Sequence, residues 1–166
     1  MIAVDTNVVL RYLLQDEAKQ SAQASSLFLG SEKILITDVV LVETIWTLRG
    51  KRYALSREAL AEVVHSLTEE PNVVWEDGHA VWCALDDFVN AKPIKVNGKT
   101  KRADFSDALI LNKSQRYGIN KTLSVYPLYT FDKAALKIDG TKDVSYDNKC
   151  DYKAVFGCNL KMRQDL

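Results

Sequence analysis

Four short apolar runs are spread along this chain, with helix-like segments between them. They are Ile2-Ala3-Val4, Ile34-Leu35-Ile36, Val73-Val74-Trp75 and Leu128-Tyr129-Thr130-Phe131. A short continuous apolar run suits a strand buried on both faces. Strands of that kind, alternating with amphipathic helices, predict a parallel α/β sheet. The intervening segments carry the required periodicity. Residues 6–14 place Val9, Leu10, Leu13 and Leu14 at helical spacing, and Gln15 to Leu29 reads as a second helix ended by Gly30. Thr37 and Asp38, both good N-cap types, precede an apolar helix from Val39 to Arg49. Ser56-Arg57-Glu58 opens a helix to about Leu67, closed by Glu70-Pro71-Asn72. Further helices are predicted from about Gly78 to Val89 and from Asp104 to Tyr117. The polar stretch 92–102, KPIKVNGKTKR, reads as a loop, and beyond Gly140 the pattern weakens into an irregular tail.

The 166 residues suit one domain, and a chain of this size buries an adequate core without disulfides. Cys83, Cys150 and Cys158 show no CxxC spacing and read as free thiols. The first residues meet an acid at Asp5 with no basic region, and no apolar run approaches the ~18 residues of a membrane span, so a cytoplasmic protein is expected. Lys and Arg total 22, as do Asp and Glu. That balance excludes a protein that coats nucleic acid by global charge, and leaves room for a local basic patch.

Particular acids carry the information. Asp5 follows the first apolar run and Asp132 follows the last. In open parallel sheets, ligands bind outside the carboxyl ends of the strands. Glu43 interrupts an otherwise apolar helix, where burial is costly without a partner. Asp104 and Asp107, three residues apart, share one helix face at that helix's start. Each of Asp5, Asp104 and Asp132 also suits a helix cap, and Asp107 suits the positive end of a helix dipole. Taken together, five such acids are explained by oxygen ligation of a hard divalent cation such as Mg2+. One or two such ions serve phosphodiester hydrolysis with no histidine or cysteine nucleophile. The sequence has no HExxH, no GxSxG, no P-loop and no GxGxxG.

Three segments carry a family resemblance: residues 2–13 (IAVDTNVVLRYL), the helix bearing Glu43, and Ala103-Asp104-Phe105-Ser106-Asp107-Ala108-Leu109-Ile110, with Thr130-Phe131-Asp132 in support. The chain resembles the PIN-domain ribonucleases, specifically the VapC toxins of VapBC toxin–antitoxin systems, over residues 1–140. The resemblance implies a three-layer α/β/α PIN-like domain with a central parallel sheet. It also implies Mg2+- or Mn2+-dependent endoribonuclease activity, a homodimer, and a cognate antitoxin. By position, Asp5 and Asp107 resemble the metal ligands, while Glu43 and Asp132 resemble the other two catalytic acids. Thr6, Asn7, Asp104 and Thr130 match supporting positions.

Residues 92–102 depart from the family pattern, holding Lys92, Lys95, Lys99, Lys101 and Arg102 without an acid. They read either as a solvated loop or as an RNA-contacting flap, with Lys99, Lys101 and Arg102 the candidate phosphate contacts. Residues 141–166 read as a C-terminal extension without a counterpart in the family. Two other functions compete with the nuclease. One is a non-catalytic PIN-fold RNA- or partner-binding module. The other is a haloacid-dehalogenase-type phosphatase, for which Asn7 stands where a second Asp is required.

Overall fold

A computed structural model describes residues 1–121 and 127–144. The fold is a three-layer α/β/α arrangement around a parallel sheet. Strands β1 (Ile2–Ala3), β2 (Ile34–Ile36) and β3 (Val73–Trp75) lie in that order, all parallel. Ile2 pairs with Ile34, and Ile34 with Val73. Ile34 and Ile36 are completely buried, as an apolar run in the middle strand of a covered sheet requires.

Helices form the links. α1 (Thr6–Leu14) follows β1 after Val4 and Asp5. Gln15 then turns left-handed at φ 52° and ends it, so the second helix does not begin at Gln15. It begins as α2 (Ala18–Phe28), where Glu17 accepts hydrogen bonds from the amides of Lys19 and Gln20. Thr37, not Asp38, caps α3 (Asp38–Arg49), its hydroxyl accepting from Val40. α4 (Arg57–Glu69) is capped by Ser56, and α5 (Gly78–Asn90) by Asp77. α6 (Phe105–Asn120) packs along α5 and outlasts the expected Tyr117, running past the buried Gly118. The side chains of Phe28, Leu41, Ile45, Phe88 and Phe105 fill the core with Ile34 and Ile36.

The stretch 92–102 is not a loop. It forms an antiparallel hairpin of β4 (Ile94–Val96) and β5 (Lys99–Lys101), pairing Val96 with Lys99 and Ile94 with Lys101. Asn97 and Gly98 both take positive φ, 50° and 76°. Two consecutive left-handed residues match the twist of the flanking strands, and Asn-Gly is the pair best suited to that turn. The ribbon pairs with no other strand among the described residues. β6 (Leu128–Thr130) likewise pairs with β7 (Thr141–Asp143), in parallel, rather than with β1. β7 therefore falls where the C-terminal extension was read to begin. Cys150, Cys158 and the rest of that extension lie outside the described residues. Among the described residues no helix is long and apolar enough to cross a membrane.

Tyr12 fastens α1 to the end of α4. Its ring stacks on Phe28 at 3.9 Å, and its hydroxyl donates to Glu70. Burial first, then the bond to and charge of Glu70, push the phenol up to about 12. The folded value lies above the unfolded value of about 10. The stabilisation is therefore complete below pH ~10 and is lost as the pH rises through about 12. Tyr12→Phe keeps the stacking and should cost about 1 kcal/mol at neutral pH. In urea unfolding, the difference between the two proteins should shrink as the pH passes through that window.

Candidate active site

Every acid singled out in the sequence sits at a structural punctuation point except Glu43. Asp5 is exposed and caps α1, its Oδ1 accepting from Val8 N at 2.9 Å. Thr6, beside it, is buried, and its hydroxyl donates to Glu43 Oε2 at 2.5 Å. Glu43 itself is exposed on α3, so the expected burial cost is not incurred. Its bond to Thr6 ties the middle of α3 to the start of α1. Asn7 is exposed and makes no side-chain hydrogen bond among the described residues.

The start of α6 forms a second group. Asp104 is the N-cap, with Oδ1 accepting from Phe105 N at 2.9 Å. Asp107 reaches back, its Oδ2 accepting from Asp104 N at 2.8 Å. This reciprocal pairing is a capping box. Arg49, at the end of α3, makes an ion pair with Asp104 Oδ2. Asp132 closes a local turn ahead of the short 3-10 element Ala135–Lys137, Oδ1 accepting from Ala134 N at 2.6 Å and from Ala135 N at 3.3 Å, while Thr130 Oγ1 accepts from Asp132 N at 3.0 Å. Asp107 is half-buried, and that burial is the main cause of a carboxyl pKa raised above its ordinary value. Asp132 and Asp104 add to the rise, while the Asp104 N–H and Arg49 oppose it. Asp104, Asp107 and Asp132 therefore share one electrostatic neighbourhood.

The PIN domain family matches residues 2–140. The chain belongs to the PIN-domain family. Among solved structures it is similar to the VapC20 toxin of Mycobacterium tuberculosis, a sarcin-ricin loop cleaving toxin. The identity is 18%, over 84% of this chain and 96% of that one, with a TM-score of 0.35. A likeness that low adds nothing to the family assignment. No curated protein matches the chain.

In this PIN domain, α3 carries both halves of the acidic site. Glu43 binds Thr6 beside Asp5, and Arg49 binds the Asp104 end of α6. Among the described residues, no three His, Cys, Asp or Glu side chains are arranged to hold a metal ion. Mg2+ needs only one or two protein carboxylates, with water and phosphate oxygens filling the remaining positions. The all-oxygen donor set fits such an ion, and a bound cation would oppose the upward shift that burial imposes on Asp107. Beside Glu43 an open apolar groove of about 740 Å³ runs between α3 and α6, lined by Val39, Val42, Trp46, Leu109 and Ile110.

Arg49 is the site residue that the sequence did not disclose. It lies 55 positions from its partner Asp104, and nothing in its local sequence marks the pairing. Lys99, Lys101 and Arg102 are exposed on and just after β5.

The Thr6–Glu43 contact is open to test by a double-mutant cycle. Thr6→Val and Glu43→Ala should be non-additive in chemical denaturation, with a coupling of about 1 kcal/mol. Strict additivity would show that the two side chains do not interact.

Proposed function

We propose that this PIN domain is a Mg2+- or Mn2+-dependent endoribonuclease, the toxin of a VapBC-type pair. The observation that carries the reading is the half-buried Asp107. It sits beside Asp104 and Asp132 in a fold whose other half presents Asp5 and Glu43. The toxin subclass rests on the motif resemblance at residues 2–13 and 103–110. Asp5 and Asp107 would hold the cation, which when bound would supply positive charge to stabilise the scissile phosphate and acidify the attacking water. Glu43 has one oxygen held by Thr6, leaving the other to orient that water. Asp104 is committed to Arg49 and to the cap, so it positions Asp107 rather than taking a proton. Thr130 steadies Asp132.

Exposed Val39, Trp46, Ile110 and Tyr117 support a protein-binding face next to the acids, in line with an antitoxin and a homodimer. A second reading, a PIN-fold module that binds RNA without cutting it, is favoured by the lack of a closed three-acid metal site among the described residues.

One experiment separates the two readings. Purified protein freed of any antitoxin should cleave a structured RNA with Mg2+ or Mn2+, and EDTA should stop it. Asp5→Asn and Asp107→Asn should abolish cleavage and leave the thermal transition nearly unchanged. Asn is as good an N-cap as Asp, and its carbonyl can still accept from the Asp104 amide. RNA bound but uncut under all these conditions would establish the second reading. Neutralising Lys99, Lys101 and Arg102 to Gln should weaken RNA binding and reduce the slope of log K on log salt by about 2, at ~0.7–0.9 per phosphate contact.

A further inference from the structure

Arg57 stands out among the described cations because it is half-buried and forms no carboxylate ion pair. Its guanidinium lies over the Phe88 ring, 3.7 Å from the centroid, and Phe88 meets Phe105 edge-on at 5.9 Å. Nη2 donates to two carbonyls, those of Phe88 and of Ala103, the latter at 2.8 Å. Nε is buried with no partner. Desolvation and the nearby charge of Arg102 disfavour this half-buried cation, Asp104 and Glu58 offsetting them only in part, so an apolar side chain of similar volume would avoid that cost. What Met or Leu could not do is bind two carbonyls at once. Those two carbonyls stand at the roots of the β4–β5 hairpin, one before it in α5 and one after it, just ahead of Asp104.

The hairpin needs such an anchor. A lone two-stranded ribbon is marginally stable in water, and this one carries Lys99 and Lys101 on one face with Lys95 on the other. Lys92, Lys95, Lys99, Lys101 and Arg102 are exposed, and none forms an ion pair among the described residues. The ribbon displays no aromatic or large exposed apolar anchor of the kind that dominates protein interfaces. Its chemistry suits a polyanion, and the nuclease reading makes that polyanion RNA.

We propose that Arg57 is the positioning residue of an RNA-gripping arm: by holding both hairpin roots against the start of α6, it fixes the arm's cations relative to Asp104 and Asp107. The proposal rests on the nuclease reading for its ligand but not for its clamp, and the two are measured separately. Hydrogen–deuterium exchange reads the clamp. In Arg57→Met, uptake should rise across residues 92–103 while α4 and α5 stay protected, and Arg57→Lys, which keeps a donor, should lie between.

Binding of a fluorescein-labelled RNA stem–loop, measured in an Asp107→Asn background, reads the arm. Arg57→Met should weaken it about tenfold at physiological salt. The same substitution should have no further effect once Lys99, Lys101 and Arg102 are Gln, because a purely structural role would persist there. Unchanged uptake across 92–103 overturns the clamp. Additive effects of Arg57→Met and the triple substitution overturn the coupling. Polyglutamate displacing the RNA at equal charge would make the arm a contact for an acidic protein and overturn the RNA assignment. Cleavage that survives with normal RNA affinity in the triple variant overturns the arm and leaves the nuclease reading standing.

Discussion

The pairing of Asp104 and Asp107 at the start of α6 is the constraint around which this molecule is arranged. The first turn of any helix leaves backbone N–H groups without partners. Here two carboxylates satisfy such groups reciprocally, each accepting from the backbone beside the other. The arrangement sets where α6 begins and turns Asp107 into a half-buried position. Asp5 caps α1 on its own, and Asp132 holds the amides of Ala134 and Ala135 at the approach to the 3-10 turn. Cap and ligand were competing readings of these acids in the sequence. The structure shows the caps, and capping uses only part of a carboxylate's accepting capacity. The remaining lone pairs stay available for chemistry.

Legibility in the sequence followed the range of the interaction. The strands at Ile34–Ile36 and Val73–Trp75 and the start of α1 were readable because apolar runs and helical spacing are local signals. So were the caps at Asp104 and Ser56. The boundary at Gln15 is not legible, because nothing in a Gln side chain announces a left-handed residue. The hairpin was missed for a different reason: Asn97-Gly98 is a strong turn signal, but Pro93 and the many lysines made the whole stretch look like loop. Ile94 and Val96, alternating across Lys95, carried the strand pattern in plain view.

Arg49 and Arg57 were beyond local reading. Arg49 meets Asp104 across 55 positions, and Arg57 meets Phe88 and Ala103 across 31 and 46. No spacing rule reaches that far. Glu43 is an intermediate case. Its position in an apolar helix is visible, but which way it faces is not, and α3 presents that side to solvent between Val42 and the buried Thr44. Thr44 itself is kept quiet by donating back to Val40, one turn earlier.

The hairpin has a consequence for how the molecule moves before it touches anything. Lys95, Lys99 and Lys101 stand on one ribbon, flanked by Lys92 and Arg102, in a chain whose charges sum to zero. Such a body feels little net pull toward a polyanion from afar, but its exposed cluster of cations is attracted more strongly than a neutral stretch of surface. That local attraction turns the protein ribbon-first as it nears the polyanion, and acts within about one Debye length, ~8 Å at physiological salt. Neutrality in this molecule thus describes its solubility and its long-range field, while its angle of approach is decided by where the charge is carried.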